Sequence, residues 1–482
     1  MNMRMKWQQV AIPVLISLFL GAGGMYAGLK FFDEKSALTN SNSDAQSTLD
    51  ENDLEKIKRS YEYITSSYVE DVDHDKIIEG AIRGMISTLE DPYSVYMDEE
   101  TVKQFTESLD SSFEGIGAEV SMQNGKVTIV APFKDSPAEK AGLKPNDKVI
   151  TIDNEPTEGM DLHEAVLKIR GKKGTYVTLG IEREGHSELI EIKVKRDTIP
   201  IETVYTEKKK VNGKTIGIIE ITSFSENTAK DFEQALHSLE KDKIDGLIID
   251  VRGNPGGYLQ SVEEIADLII PGHKPFIQIE DRDGNRQTTV SSLKAKKPYP
   301  IVGLIDEGSA SASEILAAAL KENAGYELVG TNTFGKGTVQ QTVKLGDGSE
   351  LKLTMFKWLT PDGNWIHEKG IQPTVNVKQP EFYYTSPLNV TDKPLEYDMN
   401  DEQIRSAQLM LEGLGFSPGR KDGYFNKQTE QAVIAFQKKY DLPATGKIDE
   451  TTAGKLQEKI LEVIRSGEQD LQLQTALELI SR

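Results

Sequence analysis

Ile301-Val302-Gly303-Leu304-Ile305-Asp306 runs through Glu307 into Gly308-Ser309-Ala310-Ser311-Ala312-Ser313-Glu314, and then into Ile315-Leu316-Ala317-Ala318-Ala319-Leu320. The first stretch suits a buried strand, and the last is built of strong helix formers. A serine therefore stands where a helix begins. There the first N–H groups have no intrahelical partner and the helix dipole is positive, which suits a developing oxyanion beside a nucleophile. Serine is also a favoured capping residue, so at least one of Ser309, Ser311 and Ser313 is expected to cap.

Two flanking stretches extend the pattern. Gly246-Leu247-Ile248-Ile249-Asp250-Val251 reads as a second buried strand, ending in Arg252-Gly253-Asn254-Pro255-Gly256-Gly257. A glycine-rich turn after a strand exposes backbone N–H groups; by itself it is also an ordinary tight loop. Downstream, Gly330-Thr331-Asn332-Thr333-Phe334-Gly335-Lys336 nearly spells a phosphate-binding loop. Gly337 stands where Ser or Thr must hold magnesium, and a strand pattern follows where a helix is required, so nucleotide binding is rejected. A lysine between glycines can instead approach another backbone closely and, if buried, be neutral near pH 7 and take a proton from serine.

Composition narrows the chemistry. The chain of 482 residues predicts three or four domains. Its net charge of −21, without basic runs, argues against a nucleic-acid partner. Without any cysteine, thiolate nucleophiles and disulfides are excluded. The six histidines include no pair within four residues, so no metal and no cofactor are expected.

Residues 1–30 carry Arg4 and Lys6 before an uncharged stretch from Val10 to Leu29, long enough for a bilayer core. A single-pass membrane anchor is expected there, with the body outside the cytoplasm, or secreted if the segment is cleaved. Residues 31–50 read as a tether, and residues 51–112 as a helical segment. Leu54, Ile57, Tyr61 and Ile64 form one apolar face and Ile77, Ile78, Ala81, Met85 and Leu89 another; no catalytic pattern is seen, and packing or homodimer formation is the expected role.

From residue 113 the pattern turns to short strands. Gly115-Ile116-Gly117-Ala118, the stretch Ser136-Pro137-Ala138-Glu139-Lys140-Ala141-Gly142-Leu143 and an amphipathic helix carrying Leu162, Ala165, Val166 and Ile169 resemble a PDZ domain over residues 113–195. Asn146 departs from the glycine usual before the aspartate, but tolerates a left-handed backbone. The resemblance implies that a peptide adds as a strand and that Gly115, Ile116, Gly117 and Ala118 hold its terminal carboxylate. The partners are then proteins with free C-termini. Arg170, at the end of the amphipathic helix, is the candidate gating contact.

Taken together, the serine, glycine and lysine motifs resemble the carboxyl-terminal processing (tail-specific) proteases, peptidase family S41A, with residues 196–380 as protease core. That resemblance assigns Ser311 as nucleophile, Lys336 as general base and Gln340 as the residue orienting the lysine amine. It places the oxyanion donors at Ala312 and at Gly257, with Gly256 next, on a crotonase-like or Clp-protease-like fold. After a linker, residues 398–465 resemble a three-helix peptidoglycan-binding domain, with Gly419-x-x-Asp422-Gly423-x-Phe425-Asn426 echoed at Thr445-Gly446-Lys447-Ile448-Asp449. Residues 466–482 are expected as a tail. The fold class is thus multidomain α/β: membrane helix, helical segment, PDZ domain, α/β protease core and peptidoglycan-binding-type domain. The expected function is extracytoplasmic serine endopeptidase, with sporulation as a setting; the rival is a non-catalytic, wall-associated PDZ scaffold.

Overall fold

The computed structural model describes residues 51–482 except 110–111, 124, 134–135, 145, 184–188 and 391–392. The expected anchor (1–30) and tether (31–50) lie outside the described residues. Among the described residues no helix is long and apolar enough to cross a membrane.

Helices α1 (Glu51–Ser67) and α2 (His74–Ser87) open the described chain, α2 being started by the Asp73 carboxylate, which accepts from the Asp75 and Lys76 N–H groups. Strand β1 (Val95–Met97) and helix α3 (Glu99–Leu109) follow. The segment read as helical thus holds three helices, and to them is added β1, which pairs antiparallel with a strand of the core that follows, Val95 opposite Lys352. Three residues were too short a run for periodicity to register.

The unit that resembles a PDZ domain comprises β2 (Ser112–Gly115), β3 (Ala118–Gln123), β4 (Lys126–Pro132), α4 (Pro137–Lys140), β5 (Lys148–Ile152), β6 (Glu155–Pro156), α5 (Leu162–Ile169), β7 (Tyr176–Glu182) and β8 (Ile190–Lys195). Ser136 caps α4 and Pro137 opens it, as the sequence requires. Asn146 adopts the left-handed conformation at φ 68°, so the turn survives without glycine. The sheet runs β3-β4-β5-β7-β8, which leaves β3 as an edge strand beside α5. Strand β9 (Asp197–Pro200) returns to pair with β2 and closes the unit.

The core then begins with β10 (Val204–Val211) and β11 (Lys214–Ile221), followed by α6 (Thr228–Lys241), β12 (Gly246–Asp250), α7 (Leu259–Ile269), β13 (Ile277–Glu280), β14 (Arg286–Thr289) and β15 (Ile301–Ile305). Helix α8 (Ala312–Ala318) continues as a π-helical turn, and β16 (Glu327–Gly330), β17 (Thr338–Lys344), β18 (Glu350–Leu359) and β19 (Val375–Asn376) complete the domain. One sheet runs β10-β11-β12-β15-β16-β19, parallel after its first pair; the other runs β1-β18-β13-β14, with β17 on β18. Every residue of β12 and β15 is buried, as expected of strands covered on both faces.

Helices α9 (Glu402–Gly413), α10 (Lys427–Lys439) and α11 (Glu450–Ser466) form the C-terminal unit. Its internal echo is physical. Gln408 donates to Thr429 and accepts from the Gly423 N–H; Gln437 repeats the arrangement with Thr452 and Gly446. The preceding stretch, read as a linker, buries Phe382, Leu388 and Val390 in this unit.

Residues 466–482 are not a tail. Helix α12 (Leu471–Ile480) returns to the parallel sheet of the core and buries Leu473, Ala476, Leu477 and Ile480 against Ile216, Ile218, Ile248, Val302, Leu304 and Val329. A Cβ at Gly246 would come within 2.8 Å of the Ile480 side chain, so glycine there seats the helix. Arg252 locks it: its guanidinium donates to both oxygens of Asp470 at 2.9 and 3.0 Å, to Gln472 at 3.0 Å and to Asp250 at 2.6 Å. Burial alone would raise the Asp470 pKa, but the hydrogen bonds and charge of Arg252 hold it below its ordinary value.

Removing one partner of such a buried pair is costly, so Asp470→Ala is expected to lower stability at neutral pH by about 3 kcal/mol, measured by chemical denaturation. A carboxyl whose pKa falls on folding stabilises above its unfolded pKa and loses that contribution as pH falls through the folded value. The difference from the parent should therefore shrink in acid. A pH-independent difference would show that the charge pair is not its source.

Candidate active site

Three separate turns meet at the carboxyl ends of β12, β15 and β16. The turn after β12 docks on the serine turn through Asn254, fully buried, whose carbonyl accepts from the Ala310 N–H at 3.0 Å and from the Ser313 hydroxyl at 2.8 Å. Ser309 donates to the Val251 carbonyl at 2.8 Å and accepts from the Asp306 N–H at 3.0 Å. Two of the three serines are thus fully buried and tied to backbone. Ser311 alone is partly accessible, at the N-cap of α8 with φ 53° and ψ −112°, a strained position for a residue with a Cβ.

The third turn is brought in by a residue that the sequence reading left without a role. Glu314 is completely buried, and its carboxylate accepts four hydrogen bonds: from the N–H groups of Ser311 (2.9 Å), Gly335 (2.7 Å) and Lys336 (2.8 Å), and from the Thr333 hydroxyl (2.6 Å). Burial pushes its pKa up, and these donors pull it back toward the charged form. One side chain therefore fixes the backbone at both Ser311 and Lys336. A buried Glu inside a serine-rich helix start was the available signal.

Lys336 is 1% exposed, and its Nζ lies 4.9 Å from the centre of the Tyr93 ring. Burial, reinforced by the neighbouring Lys352 charge and opposed by Glu314 and Asp91, holds its pKa well below the ordinary lysine value. The flanking glycines permit the close approach that the sequence suggested: a Cβ at Gly337 would stand 2.6 Å from the backbone nitrogen of His367. The Lys336 and Gly337 carbonyls accept from the indoles of Trp358 and Trp365, which clamps the turn. Gln340 is buried on β17 and donates to Thr338 and Thr354, an orientation set by its amide nitrogen.

Of the two oxyanion candidates after β12, Gly256 is corrected. Its N–H donates to Asn254 Oδ1 at 2.8 Å, and its carbonyl accepts from the Phe224 N–H at 2.9 Å. The N–H of a peptide unit points opposite its C=O, so the Gly257 N–H faces away from Phe224. Gly257, Ser311, Ala312 and Lys336 line one small cavity with Leu259, Ile315, Val339 and Trp358, of about 20 Å³.

In the PDZ unit the Ile116 carbonyl accepts from the Ala138 N–H and the Gly117 carbonyl from the Phe133 N–H. By the same peptide geometry, the N–H groups of Gly117 and Ala118 point away from those partners. A Cβ at Gly117, φ 73°, would stand 2.6 Å from the Ser136 Cβ, so only glycine fits. Arg170 is exposed and lays its guanidinium 4.7 Å from the centre of the Phe113 ring, its stem near Gly115. The carbonyls ending α5 are capped by Arg196 instead, which donates to those of Lys168 and Ile169.

A profile of peptidase family S41 matches residues 215–377, and profiles of the activating protease CtpB N-terminal domain, the PDZ domain and a putative peptidoglycan-binding domain match residues 18–101, 115–194 and 400–456. The chain is 53% identical to the carboxy-terminal processing protease CtpB of Bacillus subtilis (strain 168), over 98% of this chain and 99% of that protein. With the carboxy-terminal processing protease CtpA of the same organism the identity is 43%, over 89% and 90%. The photosystem II D1 C-terminal processing protease structure superposes with a TM-score of 0.42 at 25% identity, over 67% of this chain and 92% of that one.

If Glu314 holds the two turns in register, Glu314→Gln places an amide nitrogen against backbone donors and displaces Ser311. Labelling by a serine-directed fluorophosphonate is expected to slow on the order of a hundredfold. Ser309→Ala and Ser313→Ala are expected to lose roughly 1–3 kcal/mol of stability while still being labelled. Labelling lost with Ser309→Ala in a folded protein would mean that the reactive serine is misidentified.

Proposed function

The chain belongs to peptidase family S41 and is a carboxy-terminal processing serine protease with a PDZ domain; from that premise we propose that it hydrolyses peptide bonds outside the cytoplasm by a Ser311–Lys336 mechanism. The observation that carries this is the pairing of one accessible, strained serine with one buried, depressed lysine on a shared carboxylate. Neutral Lys336 takes the proton as Ser311 Oγ attacks the carbonyl carbon, with Gln340 orienting the amine. The N–H groups of Ala312 and Gly257 stabilise the oxyanion. Lys336 then returns the proton to the leaving amine, and water hydrolyses the acyl-enzyme by the same route. The small cavity beside Ser311, whose apolar walls are Leu259, Ile315, Val339 and Trp358, favours a small apolar residue on the acyl side of the cut.

The PDZ unit selects the substrate by its terminus. Its free edge strand β3 offers backbone pairing, and the Gly115-Ile116-Gly117-Ala118 loop receives the carboxylate. Arg170, beside that loop, is the contact through which capture opens the protease. Peptidoglycan is the partner of the C-terminal unit, and the segment over residues 1–30 anchors the protein in the membrane. The exposed apolar residues of α1 and α2, among them Leu54, Ile57, Ile78 and Met85, support a homodimer. A role in sporulation signalling rests on the resemblance given above. Intact Ser311, Lys336 and Gln340 argue against the scaffold alternative.

Ser311→Ala and Lys336→Ala are each expected to abolish cleavage of an unfolded protein without loss of fold, as seen by gel and circular dichroism. Activity of the parent should rise with pH as Lys336 loses its proton; a flat profile between about pH 6 and 9 would remove lysine from the rate-limiting step. Arg170→Ala is expected to slow cleavage of substrates with free C-termini, as a C-terminal carboxamide should with the parent. Should a non-cleavable peptide ending in a free apolar carboxylate only inhibit cutting of the amidated substrate, rather than stimulate it, the PDZ unit is a passive tether.

A further inference from the structure

The turn Asp91-Pro92-Tyr93-Ser94 before β1, which carried no catalytic pattern in the sequence, reaches the catalytic lysine. Gln340 Nε2 donates to Thr354 Oγ1 at 2.9 Å, the Thr354 N–H donates to Ser94 Oγ at 3.0 Å, and Ser94 Oγ donates to Asp91 Oδ2 at 2.6 Å. The Thr354 hydroxyl, having accepted from Gln340, also stands against the Asp91 carboxylate. Asp91 accepts the Tyr93 N–H as well, and the ring of that tyrosine lies on the Lys336 amine. A second buried lysine, Lys352, is 2% exposed on β18, two residues before Thr354 and so on the same face of the strand, with its Nζ 5.0 Å from the centre of the Phe105 ring.

We propose that Asp91 is the counter-charge of the general base, placed beside it by the Tyr93 turn and held there by Ser94 and by Thr354, which Gln340 also engages, and that Lys352 opposes it, the two setting how readily Lys336 gives up and regains its proton. Both are positioning residues. This rests on the assignment of Lys336 as base. When Ser311 attacks, a positive charge forms on Lys336 inside a buried site, where an uncompensated cation is costly. Asp91 offsets that charge; Lys352 keeps the resting amine neutral.

The charged and titratable groups around Lys336 come from every neighbouring element: Asp91 and Tyr93 from the turn, Glu314 from α8 and Lys352 from β18, with His367 and Glu368, from the segment behind Gly337, acting on Tyr93. Burial, partly offset by Asp91, brings Lys352 down to about 8, so its charge changes near neutral pH. Asp91, despite burial, is held below its ordinary value by Ser94, Thr354, the Tyr93 N–H and His367, and stays an anion throughout that range.

The experiment is the rate of fluorophosphonate labelling of Ser311 as a function of pH, in the parent, Asp91→Asn, Lys352→Met, Thr354→Val and Lys336→Ala, with folding followed by near-ultraviolet circular dichroism. Loss of the anion lets Lys336 deprotonate more easily. Asp91→Asn is therefore expected to shift the onset of reactivity to lower pH by about one unit while the plateau falls about tenfold. Lys352→Met removes the opposing charge, and its onset should move to higher pH. Opposite shifts are not produced by mere loosening of the fold. Thr354→Val, which breaks the link while keeping both charges, should lower the plateau and the kcat for a short peptide with little change in KM.

Shifts of the same sign, or none, in folded Asp91→Asn and Lys352→Met overturn the proposal. If either fails to fold, a Thr354→Val variant with parental kcat overturns it equally. Lys336→Ala separates the two levels: labelling that keeps its pH dependence there would refute the base assignment itself, whereas a dead Lys336→Ala with unshifted neighbours refutes only the role of Asp91.

Discussion

A fully buried carboxylate must find donors for both oxygens or lose its charge, and at Glu314 every donor comes from the two turns that carry Ser311 and Lys336. That requirement organises the rest. Ser311 is pushed into a conformation disfavoured for any residue with a Cβ because its N–H must point at Glu314 from the start of α8. The lysine turn must come close enough for two of its own N–H groups to reach the same carboxylate, which demands glycine on either side of Lys336. Strain at one turn and crowding at the other are both stabilised by one desolvated charge.

The turns themselves stand on a parallel sheet that would be half covered without the end of the chain. Helix α12 supplies the missing layer, and Arg252 ties it to the strand whose following turn contains Gly257. The C-terminal unit, connected by α11 to α12, is thereby joined to the core through buried contacts as well as through the chain. The stretch beyond that module, which reads as a tail by sequence, is in its helix α12 part of the protease.

At the other end, the segment before the PDZ unit is also part of the protease, since β1 extends the sheet containing β18 and carries Tyr93 and Asp91 toward Lys336. The buried lysine thus sits among charges drawn from distant parts of the sequence. Its low proton affinity follows first from burial and then from the balance of Lys352 against Glu314 and Asp91. The PDZ unit is inserted between these two contributions to the core, with its entry and exit strands paired as β2 and β9.

The sequence by itself determined whatever depends on neighbouring residues. Continuous apolar runs gave the buried strands, glycine spacing gave the turns, Pro137 and Ser136 gave the PDZ helix start, and the paired Gly-x-x-Asn and Gly-x-x-Asp turns gave the repeat of the C-terminal unit. It also brought the three serines of the helix start and Lys336 forward, and the resemblance to the processing proteases then pointed to Ser311 among them. What only the tertiary structure decided is which backbone groups remain available and which distant charges meet. Gly256 and Gly257 are identical in sequence; they differ because Asn254 occupies one N–H, while the peptide geometry imposed by Phe224 aims the other. Asp91, Lys352 and the helix over 471–480 looked unremarkable because their partners lie far along the chain. Burial and electrostatics act through space, and linear spacing carries no record of them.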